Sequence, residues 1–225
     1  MAKGTAIGKK KQGAASSPIT RANGDQTKEK ILNAAEALFG LHSFDTVSLR
    51  DITNLADVTL ALASYHYGTK DNLFAAVVAR RAELLNNARR EKLAKLERSG
   101  ALTVESLFDA FMSPLFEQMQ SGGEGWRAYV LLISKRGQDD RWLPLLRENF
   151  DETAMLFIDR LRPLAPEMGE ERLMRGFTFV LHLMLQTVSK NRRIDSLSKG
   201  GFSAEELDVA YRLLLRFVVA GFAAI

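Results

Sequence analysis

The chain has 225 residues, of which 46% are hydrophobic and 26% are charged, with a formal net charge of +4 and no cysteine. The lack of cysteine excludes structural disulfides, cysteine-ligated metals and cysteine nucleophiles, and no apolar run reaches the roughly 18 residues that span a bilayer. No apolar stretch follows the N-terminal lysines, so no secretion signal is predicted, and we expect a cytoplasmic protein with no membrane contact.

The first 24 residues form a basic segment that is rich in Gly, Ala, Ser and Lys and contains no acidic residue. Such a composition cannot bury enough apolar surface to order itself, so residues 1–24 are predicted to be a disordered basic tail. The tail is either an arm that reaches along nucleic acid or a plain solvated leader. The rest of the chain is close to neutral, so any anion-binding role depends on where individual charges lie.

A helix is predicted from Thr27, because apolar residues recur from there at the spacing of one buried helix face. The segment from Gly40 to Phe44 is predicted to end this helix. The residues of the buried face are Ile31, Leu32, Ala35, Leu38 and Phe39.

Two short helices are predicted next, with only Asp57 and Val58 between them. Ser48 and Asp51 form a capping box at the start of the first helix, and Thr59 is the predicted cap of the second. Helices joined by so brief a turn cross steeply, as in a helix-turn-helix. The turn can require a positive φ, which Asp tolerates better than most residues.

The second of these short helices, which Gly68 ends, carries Val58, Ala63 and Tyr67 as apolar anchors that face inward. The rest of its surface is predicted to point outward. A helix that is presented to the major groove of DNA requires this arrangement.

From Lys70 on, helical periodicity continues and strand-like alternation is absent, so the chain is predicted to be all-α. A long helix is expected from Lys70 to about Arg98, and Ser121–Gly125 is interpreted as a linker. The other candidate helices run from about Thr103 to Gln120, Gly125 to Gly137, Arg141 to Arg162, Glu170 to Ser189 and Ser203 to Phe222.

Residues 27–78 resemble the DNA-binding domain of TetR-family transcriptional regulators; they read TKEKILNAAEALFGLHSFDTVSLRDITNLADVTLALASYHYGTKDNLFAAVV. The resemblance implies a three-helix DNA-binding domain with a helix-turn-helix at residues 25–70, followed by a larger helical domain for ligand binding and dimerisation at residues 71–225. It also implies a ligand-responsive regulator, most often a repressor. The L-A-x-x-x-Y-H form of the third helix, and more weakly NRRIDSLSKGG near the C-terminus, are most similar to the fatty-acid-sensing PsrA-like branch.

The resemblance further implies contacts with the DNA backbone from Tyr65, His66 and Lys70, and hydroxyl contacts from Thr59 and Ser48. These side chains are donors of the kinds that phosphate oxygens accept, and such contacts position a protein without reading sequence. His66 could instead be a structural histidine, and Lys70 could be a solvated lysine in the first turn of its helix.

Base readers must then come from Leu60, Ala61, Leu62 and Ser64 on the exposed side of the helix. The leucines can pack against thymine methyl groups, and the serine can donate or accept at a base edge. The two leucines could alternatively belong to the core. Arg50 has two open interpretations, a phosphate contact or an ion pair with a nearby acid.

No enzyme is predicted. The three histidines, His42, His66 and His182, are far apart in sequence and fit no metal-ligand spacing. Neither a G-x-S-x-G motif nor a phosphate-cradling glycine loop occurs, so no metal and no cofactor are expected. The alternative to a DNA-binding regulator is a helical enzyme or an adaptor protein without specific DNA binding.

Two C-terminal helices carry wide apolar stripes. These stripes could serve only the core of the monomer, but the family resemblance implies a four-helix interface in a homodimer. A two-fold dimer also supplies the half-site spacing that one recognition helix cannot provide. The stripes comprise Leu173, Phe177, Val180, Leu181, Met184 and Val188, and then Leu207, Tyr211, Leu214, Phe217, Val218 and Phe222.

The middle helices are rich in aromatic residues and methionine, which are the side chains that wall small-molecule cavities. Most of them must be ordinary core, and Gln186 is a further polar candidate. Cationic groups are sparse in these stripes, so we expect a mainly apolar effector, with a long-chain acyl compound suggested first by the PsrA-like resemblance. The predicted ligand-binding residues are Phe108, Phe111, Met112, Phe116, Trp126, Tyr129, Phe157, Phe177 and His182.

Overall fold

The structure of the protein is a computed structural model that describes residues 18–136 and 140–225. It consists of helices joined by short loops. Within these ranges no strand occurs, and the predicted all-α class is confirmed. The first four helices are α1 (Pro18–Leu41), α2 (Leu49–Ala56), α3 (Leu60–Tyr67) and α4 (Lys70–Ser99). The others are α5 (Val104–Ser121), α6 (Gly123–Arg136), α7 (Leu143–Leu146), α8 (Glu152–Leu161), α9 (Glu170–Val188), α10 (Arg193–Leu197) and α11 (Leu207–Ala223).

Helix α1 begins earlier than the sequence indicated. It starts at Pro18, whose fixed φ and missing N–H suit the first position of a helix. The prediction of a disordered tail is therefore wrong for residues 18–24. The rest of the predicted tail, residues 1–17, lies outside the described residues.

Local signals place α2 and α3 where the sequence predicted them. The capping box of Ser48 and Asp51 is present at the start of α2, and the Thr59 hydroxyl caps α3. Asp57 in the turn between them has a φ of 52°, the left-handed conformation that Asp tolerates better than most residues. Gly68 ends α3 with a φ of 70°. These confirmed signals all act within a few residues of the chain.

An aromatic cluster ties the first helices to the C-terminal half. Phe39, Phe44 and Phe74 are buried with their ring centroids between 5.1 and 5.6 Å apart. Trp142 joins them, with its centroid 4.8 Å from that of Phe44 and 4.3 Å from that of Phe74. Aromatic rings stabilise each other at such separations, so the first helices share a core with a residue distant in sequence.

Two ion pairs of the buried Glu36 join α1 to α4, and α6 packs against them. The Glu36 carboxylate accepts from Arg80 Nη2 at 3.0 Å and from both Nε and Nη2 of Arg81 at 2.8 Å, and the hydrogen bond to Glu36 raises the pKa of Arg81. A Cβ atom on Gly125 of α6 would lie 2.3 Å from Arg81 Nη2 and 2.8 Å from Glu36 Oε2. Gly125 therefore lets α6 approach these side chains closely, and a larger residue would displace the Arg81 guanidinium or the Glu36 carboxylate.

The predicted linker over Ser121–Gly125 is wrong, since only Gly122 separates α5 from α6. Gly123 has a φ of 76°, a conformation that lets the chain reverse within so short a turn. The sequence also gave no signal for the short helix α10.

The single helix predicted from Arg141 to Arg162 is interrupted. A 3₁₀ turn at Asp140–Trp142 leads into α7, and a π-helical turn at Arg147–Asp151 separates α7 from α8. Pro144 lies in the first turn of α7, where its missing N–H leaves no intrahelical bond unmade. Apolar periodicity alone does not reveal a π-helical turn, because the side chains on both sides of it remain apolar.

Candidate nucleic-acid interface and internal cavity

Helix α3 is held against its neighbours by the residues predicted to face inward. Ala63 is buried, and Val58 and Tyr67 are half-buried against the core. The Tyr67 hydroxyl donates to the backbone carbonyl of Lys28 in α1 at 3.2 Å, and burial raises the pKa of this hydroxyl. One face of α3 is thereby fixed, and the opposite face is left to solvent.

The outward face of α3 carries the residues predicted to read bases. Leu60 and Leu62 are 39% and 40% exposed, and Ala61 and Ser64 are exposed beside them. This exposure does not agree with the alternative that the leucines belong to the core. The face therefore offers two apolar side chains and one hydroxyl to a partner.

The polar residues around this face have different amounts of freedom. Tyr65 is 82% exposed. The Thr59 hydroxyl accepts from the backbone N–H of Leu62 at 3.4 Å, which leaves its own hydrogen free to donate. The half-buried His66 ring lies 5.1 Å from the ring of Tyr65 and 6.4 Å from that of Tyr67, so it supports its neighbours as well as edging the surface.

For Ser48 we correct the prediction of a phosphate contact. Its hydroxyl donates to Asp51 Oδ2 at 2.6 Å and accepts from the Asp51 backbone N–H at 3.1 Å. The single hydroxyl hydrogen is therefore already used. Hydrogen bonds from Ser48 hold the pKa of the Asp51 carboxyl below its ordinary value, and this carboxylate would repel a phosphate placed at the same hydroxyl.

Lys70 also departs from its predicted role. Its ammonium donates to the backbone carbonyls of Phe44 and Val47, at 2.8 and 2.9 Å, and lies 4.3 Å from the centroid of the Phe44 ring. This arrangement does not support the predicted phosphate contact, because two of the three N–H donors of the ammonium are already engaged with the loop before α2. Lys70 instead fixes that loop to the start of α4.

Arg50 is exposed on α2. Among the described residues, no carboxylate lies within the 4.0 Å of its guanidinium that would make an ion pair. Of the two interpretations that the sequence left open, the structure favours the one in which Arg50 is available to an external anion.

A cavity of about 230 Å³ lies between α4, α5, α6 and α9, with the segment from α7 to the start of α8 as its remaining wall. Phe111 and His182 line it, as predicted, and so do Met184 and Gln186. The His182 ring is exposed, and its Nδ1 lies 2.8 Å from the carbonyl of Thr178. Side chains that were not expected, including Leu143 and Phe150, complete the apolar lining.

The other predicted ligand-binding residues do not line this cavity. They are buried in contacts between helices, as when Phe108 packs against Phe222 and Phe116 packs against Tyr211. Their size fills the interior, so aromatic content alone could not distinguish cavity wall from core. The predicted residues that are buried outside the lining of this cavity are Phe108, Met112, Phe116, Trp126, Tyr129, Phe157 and Phe177.

Arg89 lines the cavity and was missed by the sequence analysis. It is only 3% exposed, its Nε donates to the carbonyl of Phe111 at 2.9 Å, and its guanidinium lies 3.9 Å from the centroid of the Phe111 ring. Burial lowers the pKa of Arg89 to about 9. A signal was present, because Arg89 continues the inward face of α4 at the spacing set by Leu85 and Leu93.

The two C-terminal apolar stripes also differ from the prediction in which of their residues are buried within the monomer. Most of the residues assigned to the dimer interface are buried within the monomer, where α9 and α11 pack on each other and on α5; of them Phe217 alone is exposed. The prediction is therefore wrong for the residues that fill the monomer core. These are Leu173, Phe177, Val180, Met184 and Val188 of α9, and Leu207, Leu214, Val218 and Phe222 of α11.

A second apolar face lies outside that core. Phe179 and Leu183 of α9 and Leu213 and Phe217 of α11 are all exposed, and the phenylalanines reach 55% and 65%. Phe179, Leu183 and Phe217 edge a shallow groove between the two helices, and Gly221 leaves its floor open. We call these four exposed side chains the C-terminal apolar face.

Two negative observations apply to the described residues. No group of three or more His, Cys, Asp or Glu side chains among them is placed to hold a metal ion. In the same ranges, no helix combines the length and the apolar character needed to cross a membrane.

Two families match the chain. Residues 31–77 match the family described as bacterial regulatory proteins, tetR family, and residues 109–221 match the Tetracyclin repressor-like C-terminal domain. No curated protein sequence matches the chain significantly. The two matches cover the helix-turn-helix and most of the helices that enclose the cavity.

The fold is similar to several solved structures. A protein provisionally assigned as a transcriptional regulator from Pseudomonas aeruginosa PAO1 superposes with a TM-score of 0.62 at 17% identity, over 92% of this chain and 97% of that one. The fatty acid degradation regulator FadR from Bacillus halodurans gives 0.59 at 11% identity, over 90% and 97%. A TetR-like transcriptional regulator from Rhodococcus sp. RHA1 gives 0.57 at 17% identity, over 88% and 97%. At these identities the likeness shows a shared fold.

Proposed function

The chain belongs to the TetR family of bacterial regulatory proteins, and from that premise we propose that it is a ligand-responsive regulator that binds operator DNA as a homodimer. Members of this family are generally DNA-binding proteins rather than enzymes. We assign DNA binding to residues 25–70, and effector binding and dimerisation to residues 71–225. Membership of the PsrA-like branch stays a prediction, because the family matches do not distinguish branches.

The exposed face of α3 is the observation that carries this proposal. Ala63 and Tyr67 seat the helix, while Leu60, Leu62 and Ser64 point away from the protein. A helix presented in this way fits a DNA major groove, which is about 12 Å wide and displays thymine methyl groups and polar base edges.

The contacts divide into positioning and reading. We propose that Tyr65, Thr59 and Arg50 donate to phosphates and set the position of α3, because these side chains are exposed and can donate. His66 lies at the edge of the same surface. The proposed readers are Leu60 and Ser64 with the neighbouring Ala61 and Leu62. Ser48 and Lys70 hold the scaffold in place and are no longer among the proposed direct contacts.

The proposed dimer forms through the C-terminal apolar face. Exposed large apolar residues that lie side by side mark interaction sites. Two copies of α9 and α11 facing each other would bury Phe179 and Phe217 in a four-helix interface about a two-fold axis. Such a dimer presents two α3 helices to successive major grooves, which one chain cannot do.

The effector response is proposed to run through the segment that begins at the 3₁₀ turn. Leu143 and Leu146 line the cavity, and Trp142 immediately before them packs on Phe44 and Phe74. A ligand that repositions α7 would move Trp142 against the loop that leads into α2. A ligand shifts such an equilibrium only by its differential affinity for the two states, and couplings are typically about 1–3 kcal/mol.

The proposed sign of regulation is repression relieved by the effector. Ligand then favours a conformation in which the two α3 helices no longer match successive grooves. The apolar lining of the cavity supports a mainly apolar effector, and the PsrA-like resemblance of the sequence suggests acyl compounds as first candidates. Because the proposed partner is chromosomal DNA, the proposed place of action is the cytoplasm.

Selection from a pool of random duplexes tests the proposed function. Purified protein should enrich two related half-sites in inverted orientation, with centres about 10 base pairs or a multiple apart. A double variant of two proposed readers, Leu60→Ala with Leu62→Ala, is the matched control and should not enrich the same half-sites. Enrichment of the same sequences by both proteins, or of none by the wild type, would contradict the assignment of α3.

A further inference from the structure

Arg89 is a buried cation without a buried counter-ion. Within the described part of the chain, no Asp or Glu oxygen lies within 4.0 Å of its guanidinium nitrogens. Its contacts are the carbonyl and ring of Phe111, and Met184 Sδ, which lies 3.9 Å from Nη2. These neutral groups satisfy part of its hydrogen-bonding capacity, since a guanidinium carries five N–H donors in a fixed fork.

The free-energy cost of burying Arg89 without an ionic partner is unusually high for a residue with only a structural role. Charged side chains are rarely buried unless they are paired, because desolvation of a charge costs several kcal/mol. Burial lowers the pKa of Arg89 to about 9, so the side chain remains protonated at neutral pH. A methionine or leucine at this position would fill the same space without that cost. The retained charge therefore calls for an anion that is not part of the chain.

Arg89 borders the cavity, and the other polar residues of the lining differ from it in charge and exposure. Asp151, His182 and Gln186 also line the cavity, but all three are exposed, whereas Arg89 is buried. A carboxylate near the exposed rim would be repelled by Asp151, and one placed inside would meet the guanidinium in a low-dielectric setting where the attraction is stronger. The charge pattern therefore favours an anion that enters with its charged end inward.

We propose that the cavity binds a small organic acid whose carboxylate pairs with Arg89 and whose apolar body fills the space between Phe111, Leu115 and Leu185. The inference rests on the effector site of the proposed function and deepens it by naming the ligand class. Arg89 is the residue that determines specificity, because its planar fork matches a carboxylate in bidentate geometry. The ligand of this proposal is therefore an anion, whereas the sequence predicted a mainly apolar effector because cationic groups are sparse in the apolar stripes.

The size of the cavity limits this acid. An engineered cavity of about 150 Å³ holds benzene, so 230 Å³ corresponds by proportion to about nine non-hydrogen atoms. Benzoate and octanoate are close to this size. A long acyl chain exceeds it and would need the walls to part, so the long-chain acyl compound suggested by the sequence is replaced here by a shorter acid.

Isothermal titration calorimetry of the full chain with benzoate, octanoate and their primary amides tests the assignment. Each amide keeps the shape of its acid and removes the charge. We expect the wild type to bind at least one acid about 10- to 100-fold more tightly than its amide, the range expected for hydrogen bonds to a charged group. Arg89→Met should abolish that preference while binding the amide as the wild type does.

Arg90→Met is the matched control. It removes the neighbouring guanidinium of α4, which contacts Thr153 and Asn87 and does not line the cavity, so the preference for the acid should persist. The melting temperature of each variant reports whether it is folded. If Arg89→Met does not fold, the affinities of the wild type for the acid and for its amide still test the proposal. Equal affinity for acid and amide, a preference that survives Arg89→Met, or no binding of either acid to folded wild type would overturn the proposal.

This outcome is separable from that of DNA binding. Wild type that selects operator DNA but binds neither acid would leave the regulator intact and overturn the ligand class. Protein that binds an acid through Arg89 but enriches no DNA sequence would support the ligand class and contradict the regulator. The two experiments share only the purified protein.

Discussion

The indole of Trp142 lies with its ring centroid 4.3 Å from that of Phe74 and joins the wall of the cavity to the first turns of α4. Trp142 directly precedes α7, which lines the cavity. Its Nε1 is buried and has no hydrogen-bond acceptor among the described residues. An unpaired buried donor costs about 1–3 kcal/mol, so a shift that brings this nitrogen to water recovers part of that energy. The contact between Trp142 and Phe74 can therefore form in one conformation of the protein and break in another.

Trp142→Leu should weaken the coupling between effector and operator and leave each separate binding step nearly unchanged. Leucine stays apolar but cannot reach both Phe44 and Phe74. We expect the coupling free energy, measured as the ratio of operator affinities with and without bound acid, to fall by about 0.5–2 kcal/mol.

Phe116→Leu is the control for this loss. Phe116 is a buried aromatic residue that packs on Tyr211 and lines no wall of the cavity. It should lower stability and preserve the coupling. An equal loss of coupling in both variants would mean that general destabilisation, and not the Trp142 contact, is being measured.

Lys70→Met and Arg50→Gln should act on different properties. The first removes both hydrogen bonds to the loop before α2 and should reduce the free energy of unfolding by about 1–3 kcal/mol, without changing the salt dependence of DNA binding. The second should lower the slope of log affinity against log salt by about one and change stability by less than about 0.5 kcal/mol. Urea unfolding measures the free energy of unfolding, and fluorescence anisotropy over a range of NaCl concentrations measures the salt dependence of DNA binding. A Lys70→Met protein of unchanged stability with a reduced slope of log affinity against log salt would show that Lys70 contacts a phosphate.

Leu62→Ala and Tyr65→Phe should separate reading from positioning. Loss of the leucine side chain removes an apolar contact with a base, and we expect discrimination at one or two base pairs to fall by up to about 1–3 kcal/mol, the usual cost of one mismatched base pair. Loss of the exposed hydroxyl should weaken binding to all duplexes alike, by about 0.5–1.5 kcal/mol. Competition with single-base variants of the selected operator provides the readout. Tyr67→Phe, which loses a hydrogen bond to Lys28 inside the protein, is the control and should alter stability alone.

Phe217→Glu should yield a monomer. A carboxylate in the middle of the C-terminal apolar face would be desolvated without a partner in the dimer, while the side chain is 65% exposed in the monomer and tolerates the change there. Sedimentation equilibrium at micromolar concentration measures the mass. Leu41→Glu, an equally exposed leucine at the end of α1, should leave the dimer intact. A wild type that sediments as a monomer would refute the interface directly.

Much of the first domain could be read from the sequence, because its signals are local. The capping box of Ser48 and Asp51, the cap at Thr59 and the positive φ at Asp57 each depend on residues within a few positions. The buried position of Ala63 follows from the 3.6-residue period of the helix. These features do not require knowledge of any distant residue.

The remaining features depend on distant partners. Lys70 and Phe44 are far apart in sequence, and nothing near Lys70 shows that its ammonium turns to a loop carbonyl. Two alternating apolar stripes on α11 could not be assigned in advance to core or surface, because Leu214 and Phe217 are equally apolar. The charge of Arg89 likewise gains its meaning only from the cavity that the other helices close around it.

The central claim is that a small molecule in the cavity controls operator binding. Fluorescence anisotropy with the selected operator, titrated with protein at saturating octanoate or benzoate and again without either acid, tests it most directly. We expect the acid that binds more tightly to raise the operator Kd by about 5- to 150-fold, the usual range of such couplings. An operator Kd that stays unchanged while calorimetry shows the same acid bound at the same concentration would contradict the claim.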